Sequence, residues 1–377
     1  MLATVLIACY FLSYPPFVTP WYISQTLRLS LEFALILPIL AREIIADRKT
    51  LLPVVFLVVI AFKLVVTNDD AQFLLSRFDK VLFAVLLFSL LRNDENLLYR
   101  VRCILEVVLF VTAIQIWLAA VVWVFDSGAF VFDYFNVSEH ADYGYSGHPV
   151  LGNVVPRSFG SFSLIRPMGF FMEPGMIASL LVFYSYAVSP WPLSSGLRGA
   201  RNMLYWSAAV LTGSSSAVVL LLAIAVFRVT KRTYVAILIF VIAGIIVVSA
   251  ISLVGQYIPS GTNRIGRMQS FVDVMRSSTI VSLVVGHTLG HGGSTEFGAI
   301  NAGVAKLIVE FGVIMAFYLL RFLKRSIANV EAFVMALLVN LAFDFFWWPL
   351  FWVIVAAIRQ GLPYNTVLRP ASLEPAQ

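Results

Sequence analysis

Cysteine and charge are both scarce in this chain. Two cysteines occur among 377 residues, Cys9 inside the first apolar run and Cys103 at the start of a later one. That placement argues against a disulfide, and with no histidines nearby they make no zinc site. No His, Asp or Glu spacing in the polar segments matches a metal centre either. The glycine-rich run Gly286–Gly293 is followed by no Gly-Lys-Ser/Thr and has no strand–helix context, so nucleotide binding is unsupported. Neither a metal nor an organic cofactor is expected. No basic n-region or small-residue cleavage site accompanies the first apolar run, which therefore reads as a transmembrane helix and not as a removable signal. Internal repeats are missing too, and the halves do not mirror each other as transporter halves often do.

What remains is hydrocarbon. Hydrophobic residues make up 60% and charged residues 12%, where a soluble domain carries about a quarter charged. Mean hydropathy is +0.91, which calls for many spans and not one anchor. The expected fold is an all-α polytopic membrane protein, one integral membrane domain over 1–377 with about 10–12 transmembrane helices. A net charge of +6 suits loops held against anionic membrane lipid; nucleic acid is not an expected partner.

Apolar runs fall at about 1–18, 27–45, 51–66, 71–91, 103–125, 175–189, 203–227, 233–254, 303–322 and 331–358. Two of these are ambiguous, 203–227 and 331–358: each is one long helix or two short ones. The turns of the second option would fall at Thr212–Ser216 and at Asp344–Pro349. Basic clusters at Arg42/Arg48/Lys49, Arg92/Arg100/Arg102, Arg198/Arg201, Arg228/Lys231/Arg232 and Arg321/Lys324/Arg325 should all be cytoplasmic by the positive-inside rule. Two polar loops, 126–173 and 255–302, then share the extracytoplasmic face.

Charges inside spans have local explanations: Glu32 pairs with Arg28 one turn away, and Lys63 snorkels from near a span end. The outer loops carry the polar chemistry. Arg157 and Arg166 in the first, with Arg264, Arg267 and Arg276 in the second, are the fork-shaped donors that grip an anion. Arg276 has Asp273 as an alternative partner. Tyr143 and Tyr145 belong to an aromatic set that packs on sugar rings or forms an interfacial belt. Glu173 either serves as a base or caps the helix that follows it. His287 and His291 are further candidates for proton transfer.

The run Arg166-Pro-Met-Gly-Phe-Phe-Met-Glu-Pro-Gly175 resembles the R-x-x-G-x-F-x-E-P segment of the bacterial O-antigen polymerase and ligase superfamily. Leu211-Thr-Gly-Ser-Ser-Ser-Ala217 resembles its Thr-x-Ser-Arg/Ser-x-Ala segment. The stretch Arg264-Ile-Gly-Arg267, then Gly286–Gly290, Asn301 and Glu310-Phe311-Gly312, resembles its second arginine loop and "E-x-G" helix. The resemblance covers about residues 150–320. It implies a GT-C-like glycosyltransferase of the bacterial inner membrane, working on the extracytoplasmic face. The substrate would be an undecaprenyl-diphosphate-linked oligosaccharide, used without metal or nucleotide. A chain-length regulator and a flippase would be further partners. Arg166, Arg264, Arg267 and Glu173 would be catalytic, and Arg157, Arg276, His287, His291, Asn301, Tyr143 and Tyr145 would bind substrate. The ligase branch carries a histidine before the asparagine; here it is Ile300. That departure favours a polymerase of O-antigen, capsule or exopolysaccharide repeats over a ligase onto lipid A-core or protein. A lipid-linked oligosaccharide flippase is the non-enzyme alternative.

Overall fold

The computed structural model of the chain describes residues 58–63, 80, 83–84, 87–130, 146–148, 150–159, 162–169, 171, 173–188, 195–230, 270–287, 303–327, 329–343 and 345–359. The expected spans at 1–18, 27–45 and 233–254 lie outside them. The described residues are mostly helical, as the composition requires, with one small sheet.

Helix α1, Glu95–Phe125, starts where Asp94 accepts the Leu97 N–H at 2.9 Å and Glu95 faces the helix N-terminus. Both features stabilise a helix start, so the helix begins earlier than the apolar run and takes in Arg100 and Arg102. Its 31 residues rise ~46 Å at about 1.5 Å each, more than the ~30 Å hydrocarbon core of a bilayer. Leu98, Val101, Leu105, Leu109, Thr112, Ile116 and Ala119 recur every three or four residues and are buried. Val107, Val111, Ile114, Leu118, Val121 and Phe125 on other faces are exposed. A helix that is apolar all round needs apolar surroundings on every side, and a contiguous exposed stripe of this kind marks contact with hydrocarbon or a partner. Among the described residues, two helices are long and apolar enough to cross a membrane: α1, and α6 at Gly303–Ser326.

The first loop corrects the purely helical expectation. Strands β1 (Ser146–His148), β2 (Gly152–Phe159) and β3 (Phe162–Gly169) form an antiparallel sheet in that order. β-Branched and aromatic residues (Val154, Val155, Phe162, Ile165) favour the ladder. A register shift at Asn153/Val154 leaves Met168 as the extra residue of a bulge. Gly152 and Gly169, both at positive φ, touch backbone to backbone at the base of the hairpin, where a Cβ has no room. One face, through Val154 and Ile165, packs on Ala119, Val122 and Trp123 of α1. Gln115 of α1 donates to the Val150 carbonyl at 2.7 Å. The overlong α1 is thus a post carrying the sheet.

Helix α2, Pro174–Ala187, has proline in its first turn, where no N–H is missed, and is buried along almost its whole length. Against it pack α3 (Ser195–Leu211) and α4 (Ser215–Thr230). The run 203–227 is therefore broken at Thr212–Ser214, where its small polar residues predict the turn. The same holds for 331–358: α7 (Val330–Ala342) and α8 (Pro349–Arg359) flank a 3-10 turn at Phe345–Trp347. Rings of Phe88, Phe183, Phe322, Phe351 and Trp352 fill the centre of the core.

Arg201, one of the basic cluster Arg198/Arg201, lies inside α3 and is buried. Its guanidinium meets Glu106 of α1 at 3.1 Å and donates to the Ser185 and Val188 carbonyls at the end of α2. Tyr184 and Tyr205 donate their hydroxyls to the same carboxylate at 2.6 and 2.9 Å. Three helices are tied together by one saturated polar knot.

Candidate functional site at two helix breaks

The first break brings together two segments 46 residues apart in sequence. Thr212 ends α3 and, with no following helical turn, its carbonyl is released from the helix ladder. Arg166 of β3 donates its Nε–H to that carbonyl at 3.1 Å. Gly213 follows at φ 61°, with open backbone against the Arg166 stem. Ser214 then leads into α4. The hydroxyls of Ser179, Ser214 and Ser216 and the Gly175 carbonyl form one buried chain with O···O distances of 2.7 to 3.2 Å. A carbonyl freed at a helix break needs a partner, and Arg166 supplies one to Thr212.

Register explains how Arg166 arrives there. It pairs with Val155, and Arg157 pairs with Leu164. Strand alternation therefore puts positions 155, 157, 164 and 166 on one face of the ribbon, opposite the Val154 and Ile165 face seated on α1. Arg166 is half-buried between sheet and helix break. A guanidinium with its Nε bonded has the plane of its fork fixed, which is what an anion-gripping arginine requires. The N-terminus of the 16-residue α4 opens at the same turn, and helix N-termini favour negative charge.

The second break is at Gly312, where φ 74° and ψ 174° interrupt α6. Into it fits the end of α5, Ile280–Val285. Gly286, at φ 97°, packs on the Glu310–Phe311 peptide, and Gly312 packs on the Val284–Val285 peptide. The His287 N–H donates to the Val309 carbonyl at 2.7 Å. Lys63 closes the junction from a third segment: its ammonium donates to the His287 and Glu310 carbonyls, both at 2.7 Å. Lys63 is fully buried, which overturns the snorkelling expectation. The Glu310 carboxylate is buried 3.8 Å from Lys306.

The other expected site residues are placed as follows. Glu173 occupies the position before α2 but makes no capping bond with its side chain, which is exposed; the capping alternative is not realised. Arg276 is exposed and forms no ion pair with Asp273 among the described residues. His287 sits 2.6 Å from the Ser278 hydroxyl through Nε2. Burial, and then the nearby Lys63 charge, hold its pKa below the ordinary imidazole value. Arg157 is placed by its backbone alone. Arg264, Arg267, His291, Asn301, Tyr143 and Tyr145 lie outside the described residues. Ser179 and Gln115 are participants that sequence reading missed, and Lys63 is one that it read as snorkelling. An isolated lysine in an apolar run was the one available signal. Comparison with family models, with curated proteins and with solved structures gave no match to this chain.

Proposed function

We propose that this chain is a membrane glycosyltransferase that polymerises polyprenyl-diphosphate-linked oligosaccharide repeats on the extracytoplasmic face. One observation carries the reading: Arg166 is held against the Thr212–Ser216 break, so an arginine of the first polar loop meets a place where small hydroxyl residues interrupt a helix. The leaving group of such a transfer is a diphosphate. Arg166, with Arg264 and Arg267 of the second loop, would hold its oxygens as the anomeric carbon–oxygen bond breaks. Donors preorganised for developing charge act most strongly where water is excluded. Glu173, exposed one residue before α2, and His287, held largely neutral, are the groups able to take the acceptor hydroxyl proton.

Polymerase is favoured over ligase by Ile300, which stands where the resemblance calls for histidine. It is favoured over flippase because the arginines assigned to the diphosphate belong to the two long polar loops of the sequence and the halves are not repeated. The test is a glycan gel from a strain lacking the chain. Single-repeat glycans without a ladder are expected. Loss of all surface glycan would make it a flippase, and long unattached polymer a ligase; either result defeats the proposal.

A further inference from the structure

The second break holds a cation with no place in the transfer chemistry above. Lys63 is buried without residual exposure, in a setting where an ammonium is costly unless hydrogen-bonded. Backbone carbonyls 224 and 247 residues away accept from it. The Glu310 carbonyl is accessible to it because Gly312 ends the helical turn that would otherwise engage it. The His287 carbonyl is accessible because the chain leaves α5 at Gly286. The interlocked glycines fix how closely the two backbones approach, but backbone contact alone supplies one hydrogen bond, from His287 to Val309. Lys63 supplies two more, and they join both backbones to the segment 58–63. His287, held on its other side by Ser278, leads directly into the part of the second loop that carries His291.

We propose that Lys63 is a positioning residue at the end of α5: it clamps the 284–287 backbone into the break at Gly312 and so sets where His287 stands. Its consequence for glycan transfer rests on the function proposed above; the clamp itself does not. Lys63→Met keeps the length of the side chain and removes both the charge and the donors. Lys63→Arg keeps charge and donors on a bulkier head.

Hydrogen exchange on the purified protein, read by mass spectrometry, tests the clamp. In Lys63→Met, amides of the 280–287 segment should exchange at least 10-fold faster, while α1 and α2 keep their protection. Lys63→Arg should recover part of the lost protection. With a polyprenyl-diphosphate repeat as substrate, Lys63→Met should lower kcat at least 10-fold and leave KM within 2-fold. A general folding defect would not produce that split. Faster local exchange in a protein whose wild type elongates no glycan supports the clamp and rejects the transferase. Unchanged exchange at 280–287, or a rise spread equally over α1 and α2, overturns the clamp. Should Lys63→Met fail to accumulate, Gly286→Ala applies the same reading. It forces the two backbones apart with Lys63 intact, and it must loosen 280–287 without touching α1.

Discussion

Arg166→Ala should reduce the glycan ladder to single repeats at normal protein level, with a loss of ~100-fold or more in elongation rate, the scale of removing one preorganised donor to a leaving group. Two roles for Arg166 must be separated. Its Nε–H satisfies the Thr212 carbonyl at 3.1 Å, a structural contribution of about 1–3 kcal/mol for a charged donor. A purely structural role predicts lower protein level and a proportionally fainter ladder of normal length. A role on the diphosphate predicts short glycans from protein that is present in full. Arg166→Lys distinguishes them further. An ammonium can still reach a carbonyl, but it lacks the planar fork, so it should restore protein level and only part of the ladder. A full ladder from the alanine variant would remove Arg166 from the site.

The largest stability effect should come from the other end of the helix group. Glu106→Leu leaves the Arg201 guanidinium, 3% exposed, without its counter-charge, while Glu106 itself is 25% exposed. Breaking a buried pair from one side costs roughly 3–5 kcal/mol, and the partial exposure of Glu106 puts the expected loss at about 3 kcal/mol. Adding Arg201→Met should return some of it, because no unpaired charge then remains. Recovery should be incomplete, since the Tyr184 and Tyr205 hydroxyls both donate to the Glu106 carboxylate and would have lost their acceptor. Denaturant unfolding in detergent micelles measures all three variants. Losses that simply add would show that Glu106 and Arg201 do not act as a pair.

The helix breaks were legible in the sequence because their chemistry is local. Thr212-Gly213-Ser214 offers small side chains and a residue free to take positive φ, and Pro349 stops whatever precedes it. Both breaks appear where those residues stand. The sheet was not legible. Its two long strands both carry proline, at Pro156 and Pro167, and they sit in a loop whose glycines and aromatics read as irregular. Only the α1 post, overlong for a bilayer, gives those strands a surface to fold on. Gly312 was noticed as part of a motif, but its break depends on a peptide from α5 packing against it, which no local pattern encodes. Lys63 was misread for the same reason. Its partners are carbonyls freed by two distant breaks, and a lysine near a span end looks identical whether it reaches outward or inward. Arg166 and the Thr212–Ser216 break were each picked out in the sequence, but nothing local encodes the bond between them.

Reconstituted elongation is the most direct measurement of the central claim. The purified chain in lipid vesicles, given a polyprenyl-diphosphate-linked repeat in EDTA and no nucleotide, should produce a ladder of lengthened glycans, and Arg166→Ala should not. Movement of the labelled carrier across the vesicle membrane with no lengthening of its glycan, by wild-type protein, would contradict the account.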